Sequence, residues 1–211
     1  ENELVTSENR RRGMSDMQVI FQDPYESLNP KQTALQSVRE PLQLRYDKQT
    51  ATQLALAALA SVGLDENDAQ RYPATFSGGQ RQRIGIARAV AVHPKFIVAD
   101  EPISALDVSI QAQVLQLMAE LQTSYNLTYL FISHDLSKVR QIADRIAVLY
   151  FGHLVELGPV EEIFQNPMHA YTRELLAAIP EIGKSIISFE RKPIVIGNEW
   201  VQVTPEHYVL R

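Results

Sequence analysis

Several short polar stretches in this chain each follow directly on an apolar run, at the place where a strand would end. Asp100-Glu101 follows the apolar run Phe96–Ala99, Ser133-His134 follows Tyr129–Ile132, and Gln22-Asp23 follows Met17–Phe21. A carboxylate such as Asp100 at a strand end suits Mg²⁺, usually through water, while the ion bridges nucleotide phosphates. Glu101 suits a general base that polarises an attacking water. His134 is able to bond a terminal phosphate and hold that water in line, and Gln22 to reach Mg²⁺ or the water with a neutral amide. Each has a plainer reading: Asp-Glu-Pro as the start of a loop, a satisfied histidine at a strand terminus, and a polar residue opening a loop.

The fourth stretch is Phe76–Arg83, FSGGQRQR. Ser-Gly-Gly running into an amphipathic segment predicts a helix N-terminus, which presents orphan N–H donors and the positive end of the helix dipole to an anion. Two glycines let a backbone approach a bulky anion closely, and Ser77 suits either a helix cap or a bond to a phosphate oxygen.

The elements that position these residues follow from periodicity. Met17–Phe21, Phe96–Ala99 and Tyr129–Ile132 are short apolar runs expected as strands, and the second suits a strand covered on both faces of a parallel sheet. From Thr33 to Gly63 the pattern is helical, with Gly63 placed for a C-terminal cap. Asp65–Pro73 reads as a connection. After Ser77, the spacing of Ile84, Ala87, Val90 and Ala91 predicts one buried helical face, with Arg81, Arg83 and Arg88 on exposed or interface faces. Asp107 is placed to cap a helix that buries Ile110, Val114, Leu117, Met118 and Leu121. A further helix carries Leu136, Val139 and Ile142 on one side. Arg145–Phe151 and Leu154–Leu157 read as a hairpin around Gly152-His153. Val160–Phe164 and Tyr171–Ala178 read as short helices around Pro167. The tail from Gly183, with Ile186, Ile187, Ile194, Val195, Ile196 and Val201, reads as extended and packed on the domain. Strands alternating with helices predict an α/β fold with a largely parallel sheet, whose ligands bind beyond the carboxyl ends of the strands. Gln22, Asp100-Glu101 and Ser133-His134 all lie at such ends.

Composition narrows the classes. The 211 residues are 45% hydrophobic and 21% charged, enough for one sizeable core or a core with an appendage. With no cysteine there is neither a disulfide framework nor a thiolate metal site. A formal charge of −5 argues against wholesale nucleic-acid binding, and the basic run Arg10–Arg12 reads as a solvated segment. No apolar run approaches the roughly 20 residues that span a bilayer.

FSGGQRQR, then FIVADEP 20 residues later, then SALD at 104–107 and ISH at 132–134, with FQD upstream, resemble in order and spacing the ATP-binding cassette of ABC transporters. The resemblance implies a nucleoside-triphosphatase core of the P-loop type with a helical subdomain. It further implies that Gln22 is the Q-loop residue, Ser77, Gly78, Gly79 and Gln80 the signature motif, Phe96–Asp100 Walker B, Glu101 the catalytic carboxylate, Ser104–Asp107 the D-loop and His134 the switch histidine. ATP and Mg²⁺ are the implied cofactors, with Asp100 and Gln22 at the metal and Ser77, Gly78, Gly79, Gln80 and Asp107 at the nucleotide. FQDPYESLNP, NPMHAYTRELLAAIP and the tail GNEWVQVTPEHYVLR resemble ATPases of the oligopeptide, dipeptide and nickel importer group. That group implies a head-to-tail cassette dimer, membrane permease subunits, an extracytoplasmic substrate-binding protein acting indirectly, and a place on the cytoplasmic face of the inner membrane.

The expected organisation is a partial cassette over residues 1–165, its helical subdomain at about 24–92, and a C-terminal extension over 166–211. The chain carries no G-x-x-x-x-G-K-[ST] loop, the element that grips the β- and γ-phosphates. It therefore resembles the part of such an ATPase that follows that loop, with the strand–loop–helix that carries it missing. The competing readings are a non-catalytic remnant and a soluble cassette ATPase of translation or DNA maintenance. The acidic balance and the importer-like C-terminal segments count against the second.

Overall fold

The computed structural model describes residues 16–24, 27–179, 194 and 196–211. The basic run Arg10–Arg12 and the tail residues Ile186, Ile187 and Val195 lie outside the described residues. The chain divides into two compact units, Glu1–Ser133 and His134–Arg211.

In the first unit, β1 (Met17–Ile20), β2 (Phe96–Asp100) and β3 (Thr128–Ile132) form a parallel sheet in the order β1-β2-β3. Val19 lies opposite Val98, and Val98 opposite Leu130, so the three strands end along one edge. Burial alternates along β2: Ile97 and Ala99 are fully buried, whereas Phe96 and Val98 are half-buried. The opposite face leaves Met17, Val19, Leu130 and Ile132 exposed. The two-sided burial expected from an all-apolar run is therefore not met among the described residues.

The intervening helices are set by their caps. In α1 (Ala34–Leu42) Thr33 and Gln36 form a reciprocal capping box. In α2 (Lys48–Ser61) the Asp47 carboxylate accepts from the N–H groups of Gln49 and Thr50. The helical stretch expected from Thr33 to Gly63 is thus two helices, because the Asp47 cap starts a new one. Gly63 ends α2 at φ +78°, the left-handed geometry that glycine adopts without strain. The expected connection Asp65–Pro73 holds a one-turn helix, α3 (Glu66–Ala69), with its own capping box between Asp65 and Asp68.

Helix α4 (Gly78–Val90) is the hub of this unit, packing against α1, α2, β1 and α5 (Val108–Tyr125). Its burial is correspondingly broad: Ile84, Ala87 and Val90 are buried as the spacing predicts, and so are Arg81, Gln82, Ile86 and Ala89. Arg81 is only 6% exposed, which corrects its expected placement on an outer face. Its Nε donates to the Pro73 carbonyl at 2.6 Å and Nη2 to that of Ala74 at 3.3 Å, so its charge is buried with partners. Arg83 and Arg88 are half-buried, donating to the carbonyls of Val62 and Ser27 respectively. In α5 Val114, Leu117, Met118 and Leu121 are buried and Ile110 half-buried. Among the described residues no helix is long and apolar enough to cross a membrane.

The second unit begins with α6 (Leu136–Ile142), capped by the Asp135 carboxylate, and continues with a hairpin of β4 (Arg145–Tyr150) and β5 (His153–Pro159). Phe151 and Gly152, at φ +46° and +81°, form its turn, one residue before the expected Gly152-His153. After α7 (Val160–Gln165) and α8 (Ala170–Ala177) come β6 (Trp200–Gln202) and β7 (Tyr208–Leu210). The four strands form an antiparallel sheet in the order β4-β5-β7-β6, so the end of the tail is extended and packed as expected.

His169 caps α8 in an unusual way, its Nδ1 accepting from the Tyr171 N–H at 3.2 Å. Burial lowers its pKa below the ordinary 6.5, opposed by the Glu156 carboxylate and reinforced by Arg173. The neutral ring is the acceptor, and a protonated ring would aim a donor at a donor. Because the folded-state pKa is depressed, this contribution to stability is present above about pH 6.5 and is lost as pH falls through the folded-state value. Acidification from pH 7.5 to 5.5 should cost up to about 1 kcal/mol through this cap. His169→Asn, which supplies an acceptor that does not titrate in this range, should flatten that dependence in thermal melts.

Candidate active site

The carboxyl edge of the parallel sheet brings two of the candidate groups into contact. Gln22 lies two residues past β1, and its Nε2 donates to Oε2 of Glu101 at 3.2 Å, across 79 residues of sequence. Asp100 is the last residue of β2 and is exposed, and Glu101 follows it. Gln22 and Glu101 thus meet just past the end of the central strand, with Asp100 the residue before Glu101.

Glu101 is held in place by its backbone. Its N–H donates to the Ile132 carbonyl at 3.0 Å, extending the β2–β3 pairing past the end of β2. Its φ is +44°, a left-handed conformation that is uncommon for a residue with a side chain and that concentrates at functional sites. Its carbonyl accepts from both the N–H and the Oγ of Ser104, at 3.2 and 3.0 Å. Farther along the loop, Gln111 Nε2 donates to the carbonyls of Ile103 and Leu106 at 3.2 and 2.9 Å. Nothing in the spacing around Gln111 marks it. A polar residue one turn into a helix reads as exposed until the loop folds back over it.

Asp107 occupies the N-cap position of α5 as expected, yet its side chain makes no capping bond. The α5 start is held instead by the Asp107 carbonyl, which accepts from the N–H groups of Ile110 and Gln111, both at 2.9 Å. The carboxylate stands exposed at the helix N-terminus.

At the N-terminus of α4, Ser77 takes the capping role. Its Oγ accepts from the Gln80 N–H at 3.3 Å, while Gln80 Oε1 accepts from the Ser77 N–H at 3.1 Å. A hydroxyl that accepts in this way keeps its own proton to donate. The segment leading in is fixed by Arg71, which lies 4.3 Å over the Phe76 ring, pairs with Asp68 at 2.6 Å and donates to the Thr75 carbonyl at 2.6 Å. The glycines work differently from one another. A Cβ on Gly79 would lie 2.5 Å from Ile110 Cγ2, and one on Gly78 would lie 3.4 Å from Leu106 Cδ2. Gly79 is therefore required by close packing of α4 on α5, a demand additional to any approach of an anion. Ser77–Gln80 and Ser104–Asp107 consequently adjoin within one chain. His134 is exposed and opens the second unit, two residues after β3.

Gly79→Ala should destabilise the chain by about 1–3 kcal/mol, the usual penalty for overpacking. Adding Ile110→Ala should recover most of that loss, and Gly78→Ala should cost less than Gly79→Ala. Urea midpoints of the four proteins test this ordering.

Residues 1–104 match the family model described as ABC transporter, and residues 155–195 match that of the oligopeptide/dipeptide transporter C-terminal region. The oligopeptide transport ATP-binding protein OppF of Bacillus subtilis is 60% identical over 167 residues, covering 78% of this chain and 55% of the relative. The dipeptide transport ATP-binding protein DppF of Lactococcus lactis subsp. cremoris is 48% identical over 211 residues, covering 94% of this chain and 67% of the relative. A dimeric structure of a bacterial ABC transporter cassette superposes with a TM-score of 0.63 at 30% identity, covering 74% of this chain and 68% of that one. The chain thus spans little more than half the length of the first of these relatives. It belongs to the ATP-binding cassette family of ABC transporters and carries the C-terminal region of the oligopeptide/dipeptide branch.

Proposed function

We propose that this chain is part of the ATP-hydrolysing subunit of an importer, coupling ATP binding and hydrolysis to uptake of peptides of the oligopeptide/dipeptide class through a membrane permease. The observation that carries the reading is the meeting of Gln22 with Glu101, beside Asp100, at the carboxyl end of β2. The names of the similar proteins, oligopeptide and dipeptide transport ATP-binding proteins, support the cargo class.

The residues fit Mg²⁺ in a particular way. Among the described residues no group of three or more His, Asp or Glu is placed to hold a metal ion alone. Asp100 and Gln22 offer hard oxygen donors, and Mg²⁺ keeps waters and takes phosphate oxygens as ligands, so two protein groups suffice. When bound, the ion neutralises charge on the phosphates and orients them.

Glu101 is the proposed general base. It accepts a proton from the attacking water, and its backbone bonds to Ile132 and Ser104 hold the carboxylate at the strand end while Gln22 orients one oxygen. His134 is proposed to hold the terminal phosphate and the water in line. Ser77, Gly78, Gly79 and Gln80, with Asp107, are proposed to face the nucleotide of a second cassette in a head-to-tail dimer. The Ser77 hydroxyl proton and the N-terminal N–H groups of α4 suit an anion there.

The helical subdomain at about 24–92 would face the permease at the cytoplasmic side of the inner membrane, and the extension over 166–211 would follow a cassette portion ending near 165. A substrate-binding protein outside the membrane would deliver cargo to the permease. Because the chain contains no G-x-x-x-x-G-K-[ST] loop, its own hold on a nucleotide should be poor.

Glu101→Gln in the full-length protein should leave ATP affinity within about threefold and slow hydrolysis by roughly 10²–10⁴-fold. Turnover within tenfold of the parent in a phosphate-release assay would remove Glu101 as the base. Ser77→Arg in the full-length protein should block ATP-dependent dimerisation while the altered subunit still binds nucleotide, as read by size-exclusion chromatography and equilibrium binding. Loss of that subunit's own nucleotide binding would refute the placement of Ser77 on a partner's nucleotide.

A further inference from the structure

Away from the catalytic residues, the second unit holds a buried cluster of ionisable groups with no part in the proposed reaction. Glu156, on β5, is 0% exposed. Its Oε1 accepts from the Met168 N–H at 2.7 Å and lies 2.7 Å from Nε2 of His207, and its Oε2 accepts from the His169 N–H at 3.0 Å. A buried carboxylate is tolerated only when its oxygens are satisfied, and because a carboxylate only accepts, the His207 Nε2 facing it is the protonated nitrogen; the three donors come from two segments far apart in sequence. Two belong to the turn that starts α8 and the third to the residue just before β7.

His207 is equally enclosed, at 1% exposure. Its Nδ1 lies 3.4 Å from Oε2 of Glu162 on α7, and that oxygen accepts from Thr204 Oγ1 at 2.8 Å. Thr204 Oγ1 accepts in turn from the His207 N–H at 3.2 Å. Room for the ring comes from Gly158, where a Cβ would lie 3.1 Å from His207 Cδ2 and 3.4 Å from its Cα. Two carboxylates and a missing side chain are thus arranged around one imidazole, with a hydroxyl on the backbone N–H of the same residue.

We propose that the Glu156 carboxylate is a latch that makes the start of α8 and the C-terminal strand pair β6–β7 open and close as one cooperative unit on the β4–β5 hairpin. The charge is what matters. Three donors converge on two acceptor oxygens, and an amide of the same shape has one oxygen and an NH₂ that would face a donor. Packing of apolar groups alone would let the two segments loosen separately.

Native-state hydrogen exchange on the 211-residue chain tests the latch through amides that do not touch Glu156. The reporters are the Arg173 N–H, bonded to the His169 carbonyl in α8, and the Arg211 N–H, bonded to the Glu199 carbonyl beyond β7. Glu156→Gln should accelerate both by the same factor, roughly 100-fold, and leave the Ala91 N–H of the first unit unchanged. Gly158→Ala, which crowds the ring and keeps the carboxylate, should accelerate the same two amides together by a smaller factor. It keeps the test decisive if the first variant fails to fold. Acceleration of one reporter without the other in either variant, or of neither, would overturn the latch.

Discussion

Parallel pairing of β2 with a neighbour on each side is the constraint on which the candidate site depends. In a parallel sheet the strands finish at the same edge, so residues distant in sequence reach one place without a dedicated connection. Gln22 and Glu101 meet in this way. The β2–β3 pairing also runs one hydrogen bond past Asp100, to the Glu101 N–H, and the chain then leaves the sheet in a left-handed conformation at Glu101. The cost of that conformation is met by the ladder on one side and the Ser104 bonds on the other.

The second organising element is α4, the helix covered by neighbours on several sides. Its buried Arg81 reaches back to the turn at Pro73–Thr75, and Gly79 lets it close against Ile110. Both contacts fix the position of its first turn, where Ser77–Gln80 are exposed or half-buried apart from Gly79. A segment at the end of a well-anchored helix has little conformational freedom left to lose, which would lower the entropic cost of the binding proposed for Ser77–Gln80. Ser104–Asp107 and the start of α5 share that anchorage, since Leu106 lies against Gly78 and Ile110 against Gly79.

The second unit is organised differently. Its hairpin turn and apolar alternation follow local rules, with Ile146, Val148 and Val155 buried, whereas its C-terminal strands are tied in by the polar cluster around Glu156 and His207. The first unit uses a buried charge, Arg81, to bind backbone carbonyls; the second uses a buried carboxylate to bind backbone N–H groups. In both, an ionised side chain satisfies peptide groups left over where regular structure ends.

Local chemistry was legible in the sequence. Ser77 as a cap, Gly63 as a helix stop, the β4–β5 hairpin, the three strands and the polar residues at their ends all follow from short-range rules of capping, periodicity and turn geometry. Family membership was legible too, because it rests on several short motifs in fixed order. Tertiary structure alone decided which polar residues are buried and what they bind. Arg81 reads as a surface residue until α4 is covered from several sides, and the packing demand on Gly79 is invisible until Ile110 arrives beside it. Likewise, Glu156 is one glutamate in a strand until residues 168 and 207 converge on it. Periodicity records the face a segment buries against its own neighbours. The pairing of a charge with a partner 51 residues away is a property of the packed chain, and no local pattern encodes it.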